Sequence, residues 1–148
     1  MKQEDKELLL RDLCSRLPYG VKIELTNSCS YHHENVAKKG DGTIDRLKGF
    51  TGSYFSIYHD NPLDWDWYEN DIDVEDIKPY LFPMSSMTEE QKQEYCQLQQ
   101  RVIYNSKGLA NVDIMKYVNW CYENHLDING LIPLGLAIDA TGLGIYGK

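Results

Sequence analysis

The chain has 148 residues, of which 42% are apolar and 26% are charged, and its formal net charge is -8. The apolar content argues against a disordered chain, and an acidic balance without a basic stripe argues against direct binding to nucleic acid, which needs clustered Lys and Arg. We expect a single domain over residues 1–148, in which a helical part (84–148) packs on a helix-plus-β part (1–83).

The sequence contains no apolar run near 18 residues, and its N-terminal KQEDKELLLRDL carries acids where a secretory signal needs a basic start. These features predict a cytoplasmic protein that neither crosses nor binds a membrane. The cysteines are far apart and form no CxxC pair, which is typical of reduced thiols in a cytoplasmic chain. They are Cys14, Cys29, Cys96 and Cys121.

The first predicted element is a helix over about residues 4–17. Leucines recur there at three- and four-residue spacing, and acids near the start and Arg16 near the end complement the helix dipole. Pro18 and Gly20 end this helix.

A strand is predicted next, because residues 21–25 alternate between apolar and polar side chains. Residues 27–42 are polar and end in a Lys-Lys-Gly-Asp-Gly cluster, which indicates a long loop or an irregular hairpin. Two further strands are predicted over about residues 43–48 and 53–59, with Gly49 and Gly52 separating them.

The acidic stretch, residues 60–76, holds eight carboxylates and no Lys or Arg, while the rest of the chain carries 15 acids and 15 bases. Apolar and acidic residues alternate on both sides of positions 68–70. This pattern predicts a hairpin that turns at 68–70 and faces its apolar side inward. Because proline cannot donate to a strand ladder, Pro79 and Pro83 predict that residues 78–83 leave the sheet as a connector.

The C-terminal half is predicted to be mainly helical. Thr88 and Gln91 have the spacing of a capping box, which predicts a helix to about residue 104. A third helix is predicted over about residues 112–124, followed by a short helix and an extended segment packed on the domain. The fold class is therefore α+β: an N-terminal helix, a small antiparallel sheet or partly open barrel of four or five strands, and two or three C-terminal helices.

Three segments carry a resemblance to one group of proteins. They are residues 10–21 (LRDLCSRLPYGV), 77–88 (IKPYLFPMSSMT) and 130–143 (GLIPLGLAIDATGL). Each resembles small uncharacterised proteins carried by phages and mobile elements of gut bacteria. The resemblance implies an accessory gene that acts in a bacterial cytoplasm, and it implies no activity, cofactor or functional residue.

Catalytic and metal-binding groups show no recognised spacing. Cys29, His32 and His33 are crowded in one loop, whereas structural zinc sites usually show two ligand pairs. An EF-hand loop counted from Asp64 fails at its sixth position, where the sharp turn needs Gly. We predict that the protein is not an enzyme and has no cofactor or metal site. The sequence leaves open whether Cys29, His32 and His33 bind a metal.

The acidic stretch is the candidate binding site for a partner. Like charges on neighbouring strands destabilise a hairpin, so a basic partner would compensate them, although a solvated sheet face would show the same pattern. We expect a host protein with a basic surface, bound so that a host defence or regulatory factor is inhibited. The candidate partner-binding residues are Asp64, Asp66, Tyr68, Glu69, Asp71, Asp73 and Glu75.

Two other functions stay open, and the oligomeric state is not predicted. Aromatic residues near the stretch could line a pocket for a small molecule such as a nucleotide signal. Phosphate contacts would then come from Lys38, Lys39, Arg46 and Lys48. A DNA mimic is disfavoured, because alternate residues of a strand lie about 6.6–6.8 Å apart and the phosphates of one DNA strand about 3.4 Å apart.

Overall fold

A computed structural model describes residues 1–25, 45–51, 54–59, 68–104 and 110–147 of the chain. The fold is α+β, as predicted, and residues 27–42, predicted as a long loop or an irregular hairpin, lie outside these ranges. The elements in chain order are α1 (Gln3–Arg16), β1 (Lys22–Leu25), β2 (Asp45–Thr51), β3 (Tyr54–His59), β4 (Tyr68–Ile72), β5 (Ile77–Leu81), α2 (Glu89–Tyr104), α3 (Ala110–Glu123) and β6 (Ile138–Asp139).

The strands form one open sheet in the order β4-β3-β2-β1-β5-β6. Neighbouring strands from β4 to β5 are antiparallel, and the two-residue β6 runs parallel to β5. Because β1 lies between β2 and β5, the first strand of the chain is central to the sheet, with Ile23 opposite Pro79.

One hydrophobic core joins the early and late parts of the chain. Leu9 and Leu13 of α1 are buried against strand residues such as Ile23 and Ile57. Leu131, from the segment after α3, belongs to the same cluster. The four-residue spacing of the α1 leucines and the two-residue spacing along the strands place these side chains on facing surfaces.

Gly49 was predicted to separate the second strand from the third, and this prediction was wrong. β2 continues through that residue to Thr51, and its register with β3 shifts between Leu47 and Gly49. Glycine in a strand often marks a bulge, because an extra residue there needs backbone freedom and leaves no side chain to pack. Gly52 lies outside the described residues.

The predicted connector at residues 78–83 was also wrong, because Ile77–Leu81 forms β5. This strand pairs with β1 on one side, and on the other side β6 pairs with Tyr80 and Leu81 only. A proline is tolerated in a strand where its missing N–H would face no partner. Pro79 precedes the part of β5 that β6 covers, and the alternating burial of β5 shows a regular strand.

The turn of the predicted acidic hairpin was wrong, since residues 68–70 lie within β4, which pairs with β3. The second arm ends at Ile72, because the carboxylate of Asp73 accepts the backbone N–H of Glu75 and starts a 3-10 turn there. The inward-facing apolar side is confirmed where it is described, since Ile72 and Val74 are buried.

The start of α2 confirms its predicted capping box. The Thr88 hydroxyl accepts the Gln91 N–H at 3.1 Å, and the Gln91 side chain accepts the Thr88 N–H at 2.9 Å. These two bonds satisfy backbone donors that the first helical turn leaves without partners, so the helix begins where the sequence predicts.

The short helix predicted after α3 was wrong. The carboxylate of Asp127 accepts the backbone N–H groups of Leu131 and Ile132, at 2.7 and 2.9 Å. An aspartate that binds nearby backbone donors offers the chain an alternative to helical hydrogen bonds, and Gly130 takes a left-handed conformation with φ +70°. The extended segment predicted to follow is β6.

α2 and α3 meet in a polar and aromatic seam. The Tyr117 hydroxyl donates to the Tyr95 hydroxyl at 2.9 Å, and the Trp120 indole donates to Glu94 at 2.8 Å. Burial raises the pKa of Tyr117, and its hydrogen bond with Tyr95 shifts that pKa in the same direction. Directional bonds therefore set the register of this helix pair.

A buried ion pair joins α1 to the segment after α3. Arg16 and Asp12, one helical turn apart, are 0% and 1% exposed. Arg16 donates to both Asp12 carboxylate oxygens and, at 2.8 Å, to the carbonyl of Leu126, and its guanidinium lies 4.8 Å from the centre of the Tyr122 ring. Asn129 donates to Asp12 at 2.8 Å.

We expect Arg16→Met to lower the free energy of unfolding by about 3–5 kcal/mol, because it leaves the Asp12 carboxylate buried without its cation. Urea denaturation measures this loss. The double variant Asp12→Leu/Arg16→Met should lose less than the single variant, since it removes both charges. The two residues would not be coupled if the free energy lost by the double variant equalled the sum of the losses in Arg16→Met and in Asp12→Leu.

Candidate protein-binding surface

The structure describes the later part of the acidic stretch. Asp64 and Asp66 lie outside the described residues. Tyr68, Glu69 and Asp71 belong to β4, whose backbone is described. Within the described ranges, β4 has β3 on one side and no strand on the other, so it is the terminal strand of the sheet there.

The pairing of β4 with β3 is irregular. Phe55 lies opposite Ile72 and Ile57 lies opposite Glu69, so β3 advances two residues while β4 advances three. The extra residue forms a bulge, and a bulge interrupts the strict alternation of the two strand faces. The predicted hairpin assumed strict alternation of apolar and acidic residues. Because the bulge interrupts this alternation, the sequence pattern does not place the carboxylates of β4 on one face of the sheet.

Asp73 and Glu75 have local partners that the sequence did not indicate. The Asp73 carboxylate accepts the Glu75 N–H at 3.1 Å. Lys6 of α1 lies 3.5 Å from the Glu75 carboxylate and 3.9 Å from that of Asp73, with all three side chains partly exposed. Such exposed pairs contribute roughly 0.2–1 kcal/mol each. These two acids thus help to position the turn after β4 against α1.

The opposite edge of the sheet is covered by the chain itself. The Ala140 N–H donates to the Leu81 carbonyl beside β6, and Phe82 exchanges backbone bonds with His125 and Asp127, each at 2.8 Å. The residues after α3 therefore pair along the outer side of β5 and of Phe82, which follows it.

A tyrosine hydroxyl extends the ladder between β1 and β5. The Tyr146 hydroxyl accepts the Lys22 N–H and donates to the Tyr80 carbonyl, both at 2.8 Å. The Tyr146 ring stacks on His125 with 3.8 Å between ring centres, and Phe82 packs against it. Burial raises the pKa of Tyr146, which keeps the hydroxyl neutral and able to donate.

The described residues contain no group of three or more His, Cys, Asp or Glu side chains that could hold a metal ion. Cys29, His32 and His33 lie outside them. Among the described helices, none combines the length and apolar character needed to cross a bilayer.

The described cysteines form no disulfide. Cys96 is exposed on α2, whereas Cys121 of α3 is fully buried. Burial raises the pKa of Cys121 to about 11, although the nearby Arg16 opposes the shift. A buried thiol with a raised pKa is a poor nucleophile, because the thiolate is the reactive form.

Comparisons with models of protein families, with curated proteins and with solved structures found no match.

We expect native alkylation with iodoacetamide at pH 8 to modify Cys96 at least about a hundred-fold faster than Cys121, because the Cys121 thiol is buried and protonated. Mass spectrometry of the tryptic peptides over time measures the two rates. Unfolding in urea should make the rates similar, and equal rates in the native protein would contradict the burial of Cys121.

Tyr146→Phe should lower the free energy of unfolding by about 1–3 kcal/mol, because it leaves a backbone donor and a backbone acceptor without their bridge. The Lys22 amide should also exchange its hydrogen faster, as measured by NMR. Tyr54→Phe is the matched control, since the Tyr54 side chain is 46% exposed. An equal loss in both variants would contradict the bridging role.

Proposed function

We propose that this protein is a non-enzymatic accessory protein of a phage or mobile element, which binds a host protein with a basic surface. The observation that carries the proposal is the acidic stretch, with eight carboxylates and no Lys or Arg. Its described part forms the terminal strand β4 and the turn after it.

The described ion pairs narrow the set of binding residues. Asp73 and Glu75 are engaged with Lys6 and with the turn after β4. A partner would have to compete with those contacts. We propose the carboxylates of Asp64, Asp66, Glu69 and Asp71 as the main contacts with the partner, and Tyr68 adds an aromatic residue of the kind that is enriched in binding hot spots.

The charge distribution favours a basic partner. Outside the acidic stretch the acids and bases balance, 15 against 15, so the stretch is the source of the net charge. A concentrated charge of one sign accelerates encounter with a surface of the opposite sign and disfavours other partners. The resemblance to phage and mobile-element proteins supports a bacterial host as the source of that partner, and inhibition of a host defence or regulatory factor as the result.

The test is affinity capture from a lysate of the bacterial host, with quantitative mass spectrometry. In the test variant, the four candidate carboxylates are neutralised as Asp64→Asn, Asp66→Asn, Glu69→Gln and Asp71→Asn. We expect this variant to lose a basic protein that the unchanged chain captures. Capture should also weaken as salt is raised from 0.05 to 0.5 M, because salt screens charge attraction.

A matched control removes the same charge elsewhere. It changes four exposed acids outside the stretch, Glu4, Glu7, Glu90 and Glu123, to Gln. This control should capture the same protein as the unchanged chain. If both variants lose the partner equally, or if neither does, the acidic stretch is not the binding surface.

A further inference from the structure

The two edges of the sheet differ among the described residues. The β5 edge is covered by later parts of the chain, whereas β4, at the opposite edge, pairs with β3 alone. The outer side of β5 is occupied by β6 and by the residues around Asp127. In the part of the chain that the structure describes, no strand pairs with β4 on the side away from β3. Among the described residues, the β5 edge is thus covered by the chain, whereas β4 is a terminal strand of the sheet.

The backbone of β4 is able to pair with another strand. Tyr68–Ile72 contains no proline, so each of its residues carries both an N–H donor and a C=O acceptor. In a terminal strand, alternate groups of this kind point away from the sheet, and they form a template for an added strand. Recognition by strand addition gains its affinity from such main-chain bonds.

The charge around β4 selects between two kinds of added strand. A second copy would place its own acidic stretch against this one, and like charges on neighbouring strands destabilise the pair. A segment that carries Lys or Arg would instead place cations beside Glu69 and Asp71. The same acids that disfavour self-association therefore favour a basic occupant.

We propose that β4 binds an extended, Lys- or Arg-bearing segment of the partner as an additional strand of the sheet. This inference rests on the proposed function and assigns its recognition mode. The partner's backbone pairs with the outer side of β4, and its basic side chains meet the carboxylates of the strand. Specificity then comes from charge and an extended conformation rather than from a pocket.

The probe is a fluorescein-labelled seven-residue peptide that alternates Lys and Val. Its control has the same charge but carries D-Val at each Val position, because mixed chirality prevents a regular strand. Fluorescence anisotropy should show the control binding about ten-fold more weakly. At saturation with the first peptide, NMR should show hydrogen exchange slowed about ten-fold at amides of β4.

A charge variant separates this inference from the proposed function. Glu69→Gln/Asp71→Asn should weaken binding of both peptides, while the Glu90→Gln/Glu123→Gln control should leave both unchanged. Equal binding of the two peptides, or no slowing at β4, overturns strand addition, and carboxylate-dependent capture from lysate would still support the proposed function. Sedimentation that shows a dimer with protected β4 amides, in the absence of peptide, would also overturn the choice of a basic occupant.

Discussion

The fold depends on the buried Asp12–Arg16 pair and on the carbonyl that it holds. Arg16 binds the carbonyl of Leu126, and the residues on either side of Leu126 exchange backbone bonds with Phe82, directly after β5. One guanidinium therefore links α1, the end of α3 and the end of β5. A buried pair of charges often adds little net stability over apolar residues of the same volume, and in this fold the pair joins the three elements through directional hydrogen bonds.

The elements with local chemical signals could be predicted from the sequence. The α1 leucines, the alternation before Leu25 and the capping box at Thr88 each depend on residues within a few positions, and the structure agrees at all three. The predictions at Pro79 and Gly49 failed, because a proline is tolerated in a strand according to its neighbours and a glycine can bulge a strand without ending it. Both outcomes are decided by strand pairing, which the local sequence does not contain.

The candidate site likewise combines features that the local sequence contains with features that only the folded chain contains. Its charge could be read directly from the sequence, whereas the contacts of Lys6 with Asp73 and Glu75 require α1 to lie beside the turn after β4. Arg16 was interpreted as a cation that complements the helix dipole, although its four-residue spacing from Asp12 and its position among buried leucines could have indicated a buried pair. The bulge in β4 could not be predicted, because it exists only in the pairing with β3.

The bridge made by Tyr146 has a consequence for how the chain folds during synthesis. Its hydroxyl joins residues 22 and 80, and 66 positions separate Tyr146 from Tyr80. At a translation rate of about 5–20 residues per second, roughly 3–13 s pass between synthesis of these two tyrosines. During that interval the nascent β5 lacks both the bridge and β6, so its outer edge has no pairing strand from its own chain. The outer edge of β5 therefore depends for its cover on residues that are synthesised long after it.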